Sequence, residues 1–399
     1  MIIKLFIIIG VVLLYFFLCQ SHQGKKTYYY LTILFLLIRE IAVPYIGEVT
    51  PVGVMAALIF LGTFSTRNPY MKKWGLYLVY LIFSTILAFA VSPYSFRAFE
   101  WAYILFVVMA LAVIPPYLFD SEEDLVKLTR YTLITSFVFS LTTISAYYGL
   151  ADGVFIISSE DAEAVLSGER NSRIYGLTNT NLINCICAMT IVLIPWARFK
   201  KKWLEWLFII VIIYGGLLTL KRMTTISIVL ALFFYFLEQP KSRKTWSLFV
   251  LIALGVVFFS IFGEEMIYRF GLAGIGTGGN VEDSSAQTRL DRNTYAFDAF
   301  LDSPFFGNGA GYLIYTHNGF YEILANCGVM GILLIFLRYF PKWKDIYKLN
   351  PWAICIVLFL GIIFLLESTI NHVQLMAYLG VFLGGYYCSI KYNWNIRKK

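Results

Sequence analysis

His317 and Asn318 stand where a polar segment gives way to a long apolar run, in "YTHNGFYEILANCGVMG" at residues 315–331. An imidazole titrates near neutral pH, so it can take the proton of an attacking hydroxyl group as a general base. Asparagine is a preferred N-cap, so we expect Asn318 to fix the start of the following helix. His372, in "ESTINHVQL" at another predicted helix end, is the alternative candidate for the same role.

A set of cations forms the second group of candidates, and arginine dominates it. The planar guanidinium group can hold two phosphate oxygens through parallel hydrogen bonds, which a lysine ammonium group cannot. Lys221 and Arg222 lie in a tight turn between apolar runs, where a cation near hydrocarbon costs up to about 2.5–3.5 kcal/mol. Snorkelling of both side chains to the headgroups is the alternative explanation. Lys221 and Arg222 are the candidate phosphate-binding residues that this reasoning singles out.

The elements that must position these residues are membrane spans. Apolar residues make up 59% and charged residues 14% of 399 positions, whereas charges approach about a quarter of a soluble domain. The composition therefore predicts an all-α integral membrane protein with about 12–13 transmembrane helices, forming one polytopic domain over residues 1–399. The predicted spans are 2–18, 28–46, 50–65, 74–91, 99–116, 131–150, 179–197, 203–220, 223–238, 246–263, 318–338, 352–367 and 372–390.

The first span and the net charge each allow a second explanation. Residues 2–18 also resemble a signal peptide, but no small-x-small cleavage pattern follows them, so we predict a retained helix. The net charge of +8 does not indicate a nucleic acid partner, because the cations fall in the connections between spans.

Alternate connections are rich in lysine, and the positive-inside rule places such connections in the cytoplasm together with the C-terminus. Lys25, Lys201 and Lys344 are examples from three of them. The opposite connections then face outward, and they include the two longest loops, 151–178 and 264–317. His317 and the arginine-rich set are therefore predicted to lie on the outer side. The outer cations are Lys4, Arg39, Arg97, Arg170, Arg173, Lys221, Arg222, Arg269, Arg289 and Arg292.

Three further patterns favour simpler explanations. Arg39 and Glu40 form a possible intramembrane ion pair with a structural or a functional role. The acidic run "SSEDAEAVLSGER" lacks a regular ligand spacing and is typical of a solvated loop rather than a metal site. "GLAGIGTGGN" has no preceding strand and no following G-K-[ST], which favours a flexible linker over a phosphate loop.

Three segments together resemble a known family. They are "RIYGLTNTNLIN" (173–184), "LTLKRMTTIS" (218–227) and a block from Arg289 through "PFFGNG" to His317-Asn318 and Gly328, eleven residues beyond the histidine. In this order and spacing they are similar to the O-antigen polymerase and O-antigen ligase family, the Wzy-type and WaaL-type glycosyltransferases of bacterial envelopes. Two departures are visible: the family commonly has Ser-Arg where this chain has Lys221-Arg222, and no acidic or aromatic partner of Arg289 is obvious.

The resemblance implies a GT-C-like fold and a metal-independent, cofactor-free enzyme of the bacterial cytoplasmic membrane, with its site facing the periplasm or cell exterior. The implied donor is an undecaprenyl-pyrophosphate-linked oligosaccharide, and the implied product is O-antigen, capsule or exopolysaccharide. His317 and Arg289 would be catalytic, while Arg173, Lys221, Arg222, Arg292, Asn318 and His372 would bind substrate.

The resemblance leaves more than one function open. A polymerase is the first interpretation, and a ligase that transfers the glycan to a lipid-A core or another terminal acceptor is the second. Implied partners are membrane lipid, a chain-length regulator and a flippase. A transporter or flippase is the alternative class, against which stands the lack of a visible inverted repeat.

Overall fold

A computed structural model describes residues 2–37, 41–43, 47–63, 69–91, 95–148, 180–219, 222–238, 284–312, 318–366 and 373–393. This part of the chain is helical apart from one short hairpin. Two 3-10 helices, Phe35–Leu37 and Thr190–Ala197, extend α2 and α7. In chain order the helices are α1 Ile2–Leu18, α2 His22–Leu34, α3 Pro51–Thr63, α4 Pro69–Val91, α5 Ser95–Leu118, α6 Glu122–Tyr147, α7 Thr180–Met189, α8 Lys202–Leu217, α9 Arg222–Glu238, α10 Ser284–Asp302, α11 Gly319–Tyr339, α12 Trp343–Tyr347, α13 Pro351–Leu366 and α14 Val373–Lys391.

Except for 28–46, the predicted spans coincide with helices where the chain is described, because each apolar run satisfies its backbone internally as a helix. The span 246–263 lies outside the described residues. Among the residues that the structure describes, two helical stretches, Ala98–Leu118 and Gly319–Tyr339, are by length and composition suited to cross a bilayer. Six shorter apolar helices accompany them: Ile7–Leu18, Pro51–Thr63, Trp74–Ala90, Ile183–Ala197, Met223–Glu238 and Pro351–Gly361.

One predicted span is wrong in its extent. The span 28–46 was expected to be helical throughout, but the helical part ends at Leu37. An antiparallel hairpin follows, with strand β1 Ile41–Val43 paired to strand β2 Gly47–Val49. Pro44 cannot continue a helix, and the β-branched residues around it favour strands. Arg39 and Glu40 lie outside the described residues.

The core is centred on α5 and α14, which pack along each other, and α3 and α4 pack on other faces of α5. A second group of helices, α6 to α9, packs together beside them, and α13 contacts both α9 and α11. The predicted outer loop 264–317 is helical in part, since α10 occupies 284–302 and packs against α11.

Many large apolar side chains face outward on the helices, in stripes with helical spacing. On α4 the exposed residues recur every three to four positions, and α11 carries a similar set on its deeper half. Contiguous exposed apolar surface of this kind is unusual in soluble monomers. The surface is consistent with a membrane protein. The two stripes are Leu76, Val79, Ile82, Phe83 and Ile86 on α4, and Val329, Leu333, Phe336 and Leu337 on α11.

One end of the bundle holds a network of lysine and aspartate side chains. Lys26 Nζ lies 2.8 Å from Oδ2 of Asp120 and 2.8 Å from Oδ2 of Asp124. Burial alone would raise the pKa of Asp124, but hydrogen bonds from Lys26 and from the Asp120 backbone N–H lower it below its ordinary value. Asp124 therefore stays ionised at neutral pH and ties the start of α2 to the start of α6.

The same end collects other connections that the positive-inside rule assigned to one side. Arg130 on α6 donates to the Ala197 carbonyl at 2.8 Å, beside the α7–α8 connection. Lys391, at the end of α14, donates to the Phe119 carbonyl at 2.8 Å, beside the α5–α6 connection. We call this the cationic end. The prediction that these connections share a side is confirmed, while their cytoplasmic location stays a prediction.

Candidate functional site

Of the eight predicted site residues, four lie on described backbone. Asn318 precedes α11, Arg289 and Arg292 lie on α10, and Arg222 is the first residue of α9. Arg292 is exposed. The remaining four, together with the acidic and glycine-rich runs at 158–170 and 271–280, lie in parts of the chain that are not described: Arg173, Lys221, His317 and His372.

Asn318 is the N-cap of α11, as the sequence predicts. Its backbone is extended, with φ −145° and ψ 104°, and its Oδ1 accepts the N–H groups of Phe320 at 3.0 Å and Tyr321 at 3.3 Å. These two bonds satisfy donors that the first turn of a helix leaves without partners. Asn318 therefore fixes where α11 begins, directly after His317.

α11 is broken in its middle, at Gly328, which has φ 61° and ψ −167°. The break removes the hydrogen bonds from Val329 to Ala325 and from Met330 to Asn326 that an unbroken helix would form. Val329 N–H instead donates to Pro304 O at 2.9 Å, and Met330 N–H donates to Phe305 O at 3.1 Å. The break thus exposes backbone groups that a second segment binds.

That second segment is the motif loop, residues 304–309, with the sequence P-F-F-G-N-G. Asn308 N–H donates to Ala325 O at 2.9 Å, and Gly309 N–H donates to Asn326 O at 2.9 Å. The motif loop therefore replaces the missing helical partners on both sides of the break. Irregular backbone halfway along an apolar helix is tolerated where other protein groups bind it, as they do here.

Glycine is required at the contact between the motif loop and α11. Gly307 has φ 71°, and a Cβ placed on it would come within 2.3 Å of Asn326 C. A Cβ on Gly328 would come within 2.5 Å of Phe305 C. Both positive φ values and both contacts exclude a larger side chain without strain. The P-x-x-G-x-G motif and the glycine eleven residues after His317 are thus one structural unit, which the spacing alone did not reveal.

Hydrogen bonds with α4, α10 and α11 hold the motif loop in place. Asn308 Nδ2 donates to Ala299 O on α10 at 2.6 Å and to Ala325 O on α11 at 3.2 Å. Ser84 Oγ on α4 accepts the Ala310 N–H at 3.1 Å, and Tyr80 OH donates to Cys327 O at 2.6 Å. The motif loop is thereby tied to three helices.

α10 and α11 descend side by side in the same direction from the end opposite the cationic end. Ala296 and Ala299 pack against Ala325, and the rings of Phe297 and Tyr321 lie 6.2 Å apart. Residue numbers increase together along this contact, which makes it parallel.

The positions of the two α10 arginines relative to the start of α11 follow from this parallel packing. Arg292 lies about one turn before Ala296 on the same side of α10, and Arg289 lies about two turns before it. Both positions are level with or above the start of α11, where Asn318 follows His317.

The other two motifs meet at α7 and α9. Asn184, the last residue of the first motif, donates through Nδ2 to Thr143 Oγ1 on α6 at 3.0 Å. Cys185 Sγ lies 2.6 Å from Oγ of Ser227, the last residue of the second motif. The residue that follows the first motif thus contacts the last residue of the second motif, and α13 contacts both α9 and α11.

Comparison with known proteins agrees with this organisation. The helical fold of the described residues, with its one short hairpin and its apolar helices, is consistent with a membrane protein. A family model described as O-Antigen ligase matches residues 206–336, from within α8 to within α11. This match confirms the resemblance to the O-antigen ligase and polymerase family, and it indicates glycosyltransferase-like activity of the ligase or polymerase type. No curated protein and no solved structure matches the chain.

Proposed function

We propose that this protein is a polysaccharide polymerase of the bacterial cytoplasmic membrane, with a GT-C-like multispan fold. It transfers oligosaccharide repeat units from an undecaprenyl-pyrophosphate donor to a lipid-linked acceptor on the outer face, and the product is O-antigen, capsule or exopolysaccharide. One observation carries the proposal: the motif loop docks into the break of α11. This docking holds α10, with Arg289 and Arg292, beside the start of α11, where His317 and Asn318 follow one another.

In the reaction the acceptor hydroxyl oxygen attacks the anomeric carbon of the donor sugar. The bond between that carbon and the phosphate oxygen breaks, and polyprenyl pyrophosphate leaves with the bonding electrons. His317 takes the hydroxyl proton, an effect worth about 10²–10⁴ in rate. Arg289 stabilises the charge that develops on the leaving diphosphate, since preorganised donors act most strongly where charge appears.

The remaining predicted residues bind the donor. Arg173, Arg222 and Arg292 supply guanidinium forks for the diphosphate, Lys221 adds positive charge, and Asn318 holds the backbone beside His317. His372 is the alternative base. The diphosphate is already a good leaving group, so this scheme works without a metal ion. The polyprenyl chain stays in the bilayer because each buried methylene is worth about 0.8 kcal/mol.

An O-antigen ligase is the second candidate, and the description of the matching family favours it. A ligase would use the same donor site and transfer the glycan to a lipid-A core or another terminal acceptor. A transporter or flippase, the third reading, would move the lipid-linked glycan and leave its glycosidic bond intact. A chain-length regulator and a flippase are the protein partners expected of a polymerase.

The test is a transfer assay with purified protein in nanodiscs and a purified lipid-linked repeat unit as the only substrate. A polymerase forms ladders of lipid-linked products, whereas a ligase forms products only after lipid-A core is added. Arg173→Lys, Arg222→Lys and Arg289→Lys should each lose most activity while still inserting, because lysine lacks the fork. Lys344→Arg, at the cationic end, is the matched control and should keep full activity. An intact donor under all conditions would contradict the proposal. Full activity in all three lysine variants would exclude bidentate binding of the diphosphate by these arginines.

A further inference from the structure

The connection between α11 and α13 contains the short helix α12, which is fixed against the last turns of α14. Tyr386 OH on α14 donates to Asp345 Oδ2 at 2.8 Å and accepts the Lys342 N–H at 2.9 Å. Asn350 Nδ2, just before α13, donates to Ser389 Oγ on α14 at 2.7 Å. α12 is therefore held in place at both of its ends, and its one carboxylate, that of Asp345, is engaged with Tyr386.

The exposed side of α12 is aromatic and positively charged. Trp343 and Tyr347 lie four residues apart, on one face of the helix, and are 76% and 88% exposed. Lys344 and Lys348 directly follow these two aromatic residues and are exposed, as is Lys342 just before the helix. We call these five residues together the α12 face.

The three lysines of the α12 face differ from several other cations of the cationic end, which the protein itself binds. Lys26 pairs with Asp124 at 2.8 Å, and Lys391 donates to the Phe119 carbonyl at 2.8 Å. Among the described residues, by contrast, no carboxylate lies within ion-pair distance of the lysine side chains of the α12 face. Three uncompensated positive charges on one exposed face complement an anionic surface.

The α12 face also continues the exposed apolar stripe of α11. The rings of Phe336 and Phe340 lie 5.8 Å apart, and those of Phe340 and Trp343 lie 5.5 Å apart. Phe336 belongs to the stripe, so aromatic contacts lead from the stripe directly to Trp343. Tryptophan and tyrosine concentrate where hydrocarbon meets headgroups, and a lysine stem can extend from there to place its charge among the headgroups.

We propose that the α12 face is a docking surface for anionic phospholipid. Its lysines bind headgroup phosphates, and Trp343 and Tyr347 lie at the boundary between headgroups and hydrocarbon. Anionic lipid fits this face better than an acidic protein does, because the face is continuous with the apolar stripe of α11. Each lysine at such a surface is worth about fivefold in affinity. The surface lies at the end opposite the candidate site, and it is independent of the proposed function.

The test is fluorescence quenching at the α12 face of the full-length protein. Tyr347→Cys, in a Cys19→Ser background, is labelled with bimane and placed in nanodiscs of phosphatidylglycerol and phosphatidylcholine. Bromine, the quencher, is carried on the acyl chains either of phosphatidylglycerol or of an equal amount of phosphatidylcholine. The brominated phosphatidylglycerol should quench at least about twofold more strongly, because the lysines enrich it around the label. Salt at about 1 M should remove most of this difference, since it screens the attraction.

Lys342→Gln, Lys344→Gln and Lys348→Gln should each reduce the difference between the two lipids, and the three together should abolish it. The corresponding three arginine substitutions keep the charge and should keep the difference. Lys127→Gln is the matched control, because Lys127 is an exposed lysine of the cationic end with no exposed aromatic residue on the neighbouring turns of α6. It should leave the difference unchanged.

The thermal unfolding midpoint in phosphatidylcholine alone should be the same for all these variants, which shows that each is folded. Equal quenching by the two lipids with the lysines intact would overturn the docking surface, as would a difference that survives all three glutamine substitutions. Absence of quenching by either lipid would place the α12 face away from the bilayer. That result would also overturn the proposal, in favour of an acidic protein partner.

Discussion

Asn318 is the predicted site residue whose role the geometry defines most fully. Its side chain accepts two backbone N–H groups of α11, so it fixes the residue at which this helix starts. A general base needs such a fixed position, because proton transfer falls off steeply when the base is displaced from the hydroxyl group. At the residue scale, the function of the site is therefore tested first at His317.

His317→Ala should reduce turnover by at least about a hundredfold and leave donor affinity nearly unchanged, because the arginines hold the diphosphate. The acidic limb of the pH–rate profile should also flatten, since that limb reports protonation of the base. Single-turnover transfer from purified lipid-linked donor measures both effects.

His372→Ala is the control for this prediction, with expression and insertion checked for each variant. A smaller turnover defect is expected there. Near wild-type transfer by His317→Ala, or loss of transfer in His372→Ala alone, would reassign the base.

At the scale of the element, the main feature of the candidate site is the break in α11 and the motif loop that binds to it. Its two halves are joined through the motif loop rather than through a continuous ladder of helical hydrogen bonds, so the position of the first half of α11, which Asn318 caps, depends on residues 304–309. The backbone groups on both sides of Gly328 are satisfied only while the motif loop is docked. Loss of docking would leave them without partners inside an apolar environment, which is costly.

Gly328→Ala and Gly307→Ala should each lower the free energy of unfolding by at least about 2 kcal/mol, because both positions have positive φ and no space for a Cβ. Transfer activity should fall with docking. The measurement is the thermal unfolding midpoint in detergent, together with the transfer rate.

Gly75→Ala on α4 is the matched control, because a Cβ there meets nothing within 4 Å. It should be neutral or slightly stabilising, since alanine favours helices over glycine by about 0.5–1 kcal/mol. Equal midpoints for all three variants would show that the motif loop does not hold α11.

At the scale of the whole molecule, the chain has two chemically different ends. The cationic end is tied together by lysine, arginine and aspartate contacts between connections that are distant in sequence. The opposite end carries the start of α11 and the arginine positions of α10. The positive-inside rule predicts that the candidate site faces away from the cytoplasm.

Single cysteines at Ser284, at the start of α10, and at Ser242, in a cation-rich connection, should react with a membrane-impermeant thiol reagent from opposite sides. Ser284→Cys should be labelled in intact cells and Ser242→Cys only after permeabilisation. The half-buried native Cys19 is replaced by serine in both backgrounds, and the variant with no added cysteine is the control. Labelling of both positions in intact cells would place the candidate site on the wrong side.

The membrane class, the positions of most helices and the grouping of the cationic connections could be predicted from the amino-acid sequence. Each depends on local properties, namely the length of an apolar run and the charge of the connection beside it. Asn318 belongs to the same group, because an N-cap is a local feature. The ordered spacing of Arg289, the P-F-F-G-N-G segment, His317 and Gly328 was sufficient to predict the resemblance to the O-antigen ligase and polymerase family. The family model that matches residues 206–336 confirms this resemblance.

Only the tertiary structure decided how those motifs act together. Residues 318–338 were predicted as one uninterrupted span, but Gly328 breaks the helix because a segment some twenty residues earlier supplies its hydrogen bonds. The parallel register of α10 and α11 likewise depends on packing between separate helices. A glycine in an apolar run allows a break, but the energy that maintains the break comes from a distant loop, which no local pattern contains.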